Sequence, residues 1–156
     1  MTKLGPMRTA LPVAAALLLC LPFSARAQSE ADSAGVRKAA LDYIEGWYSG
    51  DAARMERAVH PELVKRIYLT DPKLGVSWVE EMGASKLVAS TANGGGSGTP
   101  ADERRTDVHI LDLFRNAASV KVDAGDWVDY LHLVRTKDGW KILNVLWELR
   151  KPYRGG

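Results

Sequence analysis

The sequence predicts an α+β domain in which N-terminal helices pack on one face of a curved antiparallel sheet. Two observations lead there. Apolar residues in the first half recur at three- and four-residue intervals, whereas the last third alternates in short runs joined by tight-turn residues. The helical segments also precede most of the strands, and segregated elements of this kind pack as helices against a meander.

Asp32 to Tyr48 places Val36, Ala39, Ala40, Tyr43, Ile44, Trp47 and Tyr48 along one stripe of a first helix. Ser49-Gly50 stops it. Asp51 is positioned to cap a shorter second helix with Ala52, Met55, Ala58 and Val59 as apolar positions. His60-Pro61 closes that segment, because the residue before proline avoids helical backbone. Leu63 to Leu69 reads as a strand, Val76 to Val79 as a short extended piece, and Ser85 to Ala92 as a third helix ended by the glycine-rich run Asn93 to Gly98. Arg104 to Phe114 and Ala117 to Ala124 flank Arg115-Asn116, a two-residue hairpin. Trp127 to Thr136 and Trp140 to Leu149 flank Lys137-Asp138-Gly139, which suits a type I turn followed by a left-handed glycine.

With that three-residue turn, Thr136 pairs with Trp140, and stepping outward sets His132 opposite Asn144, Tyr130 opposite Leu146 and Val128 opposite Glu148. Both resulting faces are largely apolar, while three helices can cover only one. The face carrying Tyr130, His132 and Asn144 is expected to turn toward the helices and line a pocket. The other, with Trp127, Leu131, Leu133, Val145 and Trp147, is then expected to meet a second copy in a homodimer.

Lys3 and Arg8, the apolar stretch Leu11 to Phe23 and the small-residue pattern Ser24-Ala25-Arg26-Ala27 read as a signal peptide cleaved after Ala27. Residues 28–156 are then one domain, periplasmic or secreted. The apolar run is about a dozen residues, short for a hydrocarbon core of roughly 30 Å, so no permanent membrane anchor is expected. Leu19 before Cys20 speaks against lipoprotein processing, and Cys20 is the sole cysteine, so no disulfide holds the domain. Removing Lys3, Arg8 and Arg26 with no acidic residue takes the net charge from +2 to −1. Nucleic acid is not an expected partner, because backbone binding needs a clustered basic excess.

Several segments resemble the putative lumazine-binding family of the nuclear transport factor 2-like superfamily. They are Asp42-Tyr43-Ile44-Glu45-Gly46-Trp47-Tyr48-Ser49-Gly50-Asp51, Ala58 to Leu63, Thr106-Asp107-Val108 with Leu111-Asp112, Trp127 to Leu133, and Asp138 to Leu149. The resemblance runs from about Ala31 to Leu149. It implies a cystatin-like fold, with helices against a strongly curved sheet that forms a cone with a cavity, and commonly a dimer through the outer sheet face. It leaves activity open, since the superfamily holds isomerases, dehydratases and cyclases beside binding and scaffold domains.

The candidate ligand contacts are Tyr43, Trp47, His60, Tyr130, His132 and Asn144. Tyr130, His132 and Asn144 together could hydrogen-bond a carbonyl or heterocycle, and Tyr43, Trp47 and Trp78 could stack a flat one. Against this, the trio also reads as mutually satisfied core groups, Tyr43 and Trp47 as a helix core stripe, and His60 as a helix terminator. For catalysis the candidates are His132 or Asp112 as base, with Tyr130 as donor. An acid lowered into an apolar cone gains basicity, although the hairpin merely pairs Asp112 with Ser119. Asp129 faces outward in this register. His60, His109 and His132 lack metal-ligand spacing, so no metal and no cofactor are expected. The glycine run lacks the ending of a phosphate loop and reads as a mobile flap. The leading expectation is an exported domain that binds a small, flat, partly apolar molecule. The alternatives are a proton-transfer enzyme using the same cavity and a non-catalytic dimeric scaffold.

Overall fold

The computed structural model describes the backbone of residues 21–153, with side chains from Ser29 onward. Most of the expected signal peptide, with Cys20, lies outside the described residues; its last residues, from Leu21, are helical backbone. The chain divides into two compact units, residues 1–31 and 32–156, and the second holds every element but the start of the first helix.

Helix α1 (Leu21–Ser49) buries Val36, Ala39, Ala40, Tyr43, Ile44 and Tyr48, the stripe that its spacing predicts. It ends at Gly50, whose φ of 68° suits only a residue without Cβ strain. Asp51 caps α2 (Ala52–Ala58) by accepting from the Arg54 N–H at 2.9 Å. The chain then passes without a loop into β1 (Val59–Asp71), reverses into β2 (Val76–Gly83), and forms α3 (Ala84–Ala92). Strands β3 (Asp107–Phe114), β4 (Ala117–Asp123), β5 (Trp127–Thr136) and β6 (Gly139–Leu149) follow as an antiparallel meander.

The strand order is β2-β1-β6-β5-β4-β3, an open sheet with β2 and β3 as its edges. It is mixed, where the sequence led us to expect a purely antiparallel one. The reason is the junction at Val59, which ends α2 and begins β1 beside Ile142. Starting at that level, β1 runs parallel to β6.

The pairs His132/Asn144, Tyr130/Leu146 and Val128/Glu148 form as expected, but the turn that produces them differs. Thr136 pairs with Gly139 and not with Trp140, and a bulge at Leu143 absorbs the extra residue. The facing of the sheet is also the reverse of the expectation. Leu131, Leu133, Val145 and Ile142 are buried against the helices, while Tyr130 is 43% and Leu146 54% exposed on the outside. The physical reason is desolvation. Branched aliphatic side chains stabilise the core, whereas His132, Asn144 and Glu148 turned inward would each need a buried hydrogen-bonding partner. Consequently Trp127, Leu131, Leu133, Val145 and Trp147 belong to the protomer's interior and do not form an outer surface.

Candidate functional site

Alternation along β1 places Leu63, Lys65, Ile67 and Leu69 on the inner side, and the three aliphatic members are buried. Lys65 is carried inward with them. In β5 the same alternation turns Trp127, Asp129, Leu131 and Leu133 inward, and Asp129 is 0% exposed. Two lone charges on apolar faces therefore meet, with Val145 and Trp147 of β6 between them.

Lys65 Nζ donates to Asp129 Oδ1 at 2.5 Å and to Tyr43 Oη at 2.7 Å. Trp127 Nε1 donates to the other carboxylate oxygen at 2.8 Å. The ammonium lies 4.8 Å from the Trp147 ring centre and 5.4 Å from that of Tyr43, within cation–π range. Burial draws the Lys65 ammonium below the ordinary lysine value, outweighing the opposing pull of Asp129. Burial also raises the Tyr43 hydroxyl well above its usual value, assisted by the Asp129 charge.

This network floors a cavity of about 410 Å³ between helices and sheet. Its walls are Tyr43, Ile44 and Trp47 from α1, Met82 from β2, Leu87 from α3, Trp127 from β5, and Trp147 and Leu149 from β6, with Asp126 at the rim. Three indoles and one ammonium make a mostly apolar site with a single basic focus, the usual make-up of a small-molecule pocket. A neighbouring cleft shares Asp126 and Trp127 but is lined by charges of both signs, and its Arg150 is already tied to Asp123.

The glycine run braces the cavity wall. Gly96 N–H donates to the Trp47 carbonyl at 2.9 Å, and a Cβ on Gly96 would lie 2.6 Å from Trp47 Nε1. Arg104 holds the loop through the Thr99 and Ser97 carbonyls at 2.8 and 2.7 Å. What the sequence suggests as a flap is thus a backing for Trp47.

Of the sequence candidates, Tyr43 and Trp47 line the cavity. Tyr130, His132 and Asn144 do come together, with Asn144 Nδ2 3.2 Å from His132 Nδ1, but on the outer face. His60 sits at the start of β1, where its Nδ1 accepts from Glu62 N–H at 3.2 Å. Asp112 is exposed opposite Ser119 and accepts its neighbour's N–H at 2.9 Å. Trp78 packs edge-on against Tyr153, 5.6 Å between centres. Sequence reasoning missed Lys65, Trp127 and Trp147 as cavity residues and Asp129 as the buried partner of Lys65. The available signal was a charged residue at an inward position of an otherwise aliphatic strand, once in β1 and once in β5. Among the described residues no cluster of His, Cys, Asp and Glu could hold a metal ion.

Residues 31–148 match the model of the family described as putative lumazine-binding. The chain belongs to that family. Solved structures place this family member in the nuclear transport factor 2-like fold. A protein with a cystatin-like fold from Novosphingobium aromaticivorans matches at a TM-score of 0.61 and 14% identity, over 86% of this chain and 92% of that one. A protein of unknown function from Silicibacter pomeroyi matches at 0.56 and 14%, over 80% and 98%. A putative dehydratase from Streptomyces avermitilis matches at 0.53 and 17%, over 79% and 99%. At such identities the likeness concerns the fold alone. No curated protein matches the chain.

Proposed function

We propose that this member of the lumazine-binding family is an exported, homodimeric small-molecule-binding domain whose cavity takes a flat, partly apolar molecule. The carrying observation is the enclosure of one ammonium, Lys65, by the rings of Tyr43 and Trp147, with Trp47 and Trp127 completing the walls. The aromatic faces offer stacking, and the volume suits a ligand of two or three fused rings. Among the described residues the acceptors of Lys65 are Asp129 and Tyr43, so one of its three N–H groups remains for a ligand oxygen or nitrogen. The charge of Lys65 is already balanced by Asp129, and Asp126 stands at the rim. This electrostatic setting favours an uncharged ligand over an anion.

The proton-transfer alternative loses its named base, since neither His132 nor Asp112 faces the cavity. The homodimer moves to the opposite sheet face from the one expected. Exposed Tyr68, Val79, Tyr130 and Leu146 form an apolar surface across β2, β1, β6 and β5 that a second copy would cover. Export rests on the pattern of residues 1–27, and no helix among the described residues is long and apolar enough to cross a membrane.

Native mass spectrometry of protein purified from its own compartment tests the binding reading. A retained small mass that is lost in Trp127→Ala supports it. An empty protein that also ignores a library of flat heterocycles refutes it.

A further inference from the structure

We propose that Lys65 is a covalent anchor: the cavity takes a flat aromatic or conjugated aldehyde and holds it as a protonated imine on Nζ, with Asp129 as counter-ion. The inference rests on the binding reading above and goes beyond it in assigning a bond. Three features carry it. The amine forms part of a cavity wall, with its side chain 12% exposed, in contrast to solvent-facing lysines such as Lys73, Lys86 and Lys137. A carboxylate with no solvent exposure lies 2.5 Å away and can take up and return a proton. The walls around the amine are mostly indole, phenol and aliphatic groups, against which a flat aromatic aldehyde can pack and displace water from the imine.

The chemistry balances without a further reactant. Asp129 takes one ammonium proton, and the freed Nζ lone pair attacks the carbonyl carbon as the C=O π pair moves to oxygen. Protonation of that oxygen gives a carbinolamine. Its hydroxyl then departs as water while the nitrogen lone pair forms the C=N bond. In sum, one ammonium and one aldehyde become one iminium and one water, with a single positive charge on each side. The two protons that nitrogen gives up leave with the former carbonyl oxygen, and Asp129 ends as the carboxylate paired with the iminium. Burial supports the first step, because it lowers the cost of removing the Lys65 proton relative to an exposed lysine. The Tyr43 hydroxyl accepts from Nζ at 2.7 Å and holds the amine in place.

The test uses 6-methoxy-2-naphthaldehyde with sodium cyanoborohydride on the intact chain, followed by peptide mapping. In parallel, 2-methoxynaphthalene, a similar flat body without the carbonyl, is titrated against tryptophan fluorescence. The expected result is a single dominant reduced adduct at Lys65, formed well before any at Lys73, Lys86 or Lys137. Lys65→Arg is expected to gain no cavity adduct while Lys73, Lys86 and Lys137 label as in the wild type. If 2-methoxynaphthalene binds while adducts spread over surface lysines and spare Lys65, the covalent proposal is overturned and the binding reading stands. If 2-methoxynaphthalene fails to bind and Lys65 stays unlabelled, both fall.

Discussion

Lys65 Nζ and Asp129 Oδ1 lie 2.5 Å apart on the inner side of the sheet, reaching toward each other from β1 and β5 across the intervening β6. The pair joins the parallel and antiparallel halves of the sheet at the floor of the cavity. Removing one partner strands a buried charge, which typically costs about 3–5 kcal/mol, whereas replacing both by apolar residues is often neutral. Asp129→Leu is therefore expected to lose that much in urea unfolding. The double variant Lys65→Met with Asp129→Leu is expected to recover most of it. Equal losses in the two variants would mean that the pair contributes by packing alone.

The glycine run gives a sharper steric prediction. A methyl group on Gly96 meets Trp47 Nε1 at 2.6 Å, whereas Gly98 has nothing within 4 Å of such a group. Gly96→Ala is expected to destabilise by about 1–3 kcal/mol through overpacking and to alter the fluorescence of Trp47. Gly98→Ala serves as the control and is expected to leave both unchanged. A silent Gly96→Ala would show that the loop does not brace the indole.

For the sheet faces, the two sides are expected to respond differently. Leu131 is fully buried, so Leu131→Ala should cost about 2–5 kcal/mol, as large-to-small core changes do. Leu146→Glu, on the exposed side, should leave the unfolding midpoint nearly unchanged and convert a dimer to a monomer in light scattering. A wild-type protein that is monomeric at the concentration of the experiment contradicts the dimer.

Acid stability depends on Asp42, which lies between Lys38 at 2.5 Å and Arg54 at 2.9 Å and joins α1 to α2. Burial alone would raise its carboxyl, but the two cations more than offset this and hold it below the usual value. A group with a lowered folded pKa contributes stability above its unfolded value of 3.8 that is lost as pH falls through the lowered folded one. Asp42→Asn should therefore flatten the acid limb of a plot of melting temperature against pH. An acid limb identical to wild type would assign the loss to other carboxylates.

Much of this was legible in the sequence and some was not, for identifiable reasons. The stripe from Val36 to Tyr48 and the Arg115-Asn116 hairpin follow from local periodicity and turn chemistry, and both appear where those rules put them. The direction of β1 depends on how α2 joins it, which no local pattern specifies. The facing of β5 and β6 is not legible locally because both faces are apolar, and His132, Asn144 and Tyr130 gather on one of them as pocket residues would. Asp129 was the better clue. A single carboxylate among Trp127, Leu131 and Leu133 is tolerable inside only with a partner, and Lys65, alone among Leu63, Ile67 and Leu69, is that partner. Recognising it required matching two strands 64 residues apart.

The space bounded by Trp47, Trp127 and Trp147 is proposed to receive a flat molecule. The chain has five tryptophans, and the other two, Trp78 and Trp140, lie outside the cavity as internal controls. Trp78 packs on Tyr153, and Trp140 Nε1 donates to Asp32 at 3.3 Å. Nitrogen-15 indole spectra recorded during titration with uncharged fused-ring heterocycles read all five sites at once. At least one compound is expected to shift the Trp47, Trp127 and Trp147 signals saturably while Trp78 and Trp140 stay in place. Three unmoved cavity indoles across the series, or shifts confined to Trp78, would contradict it.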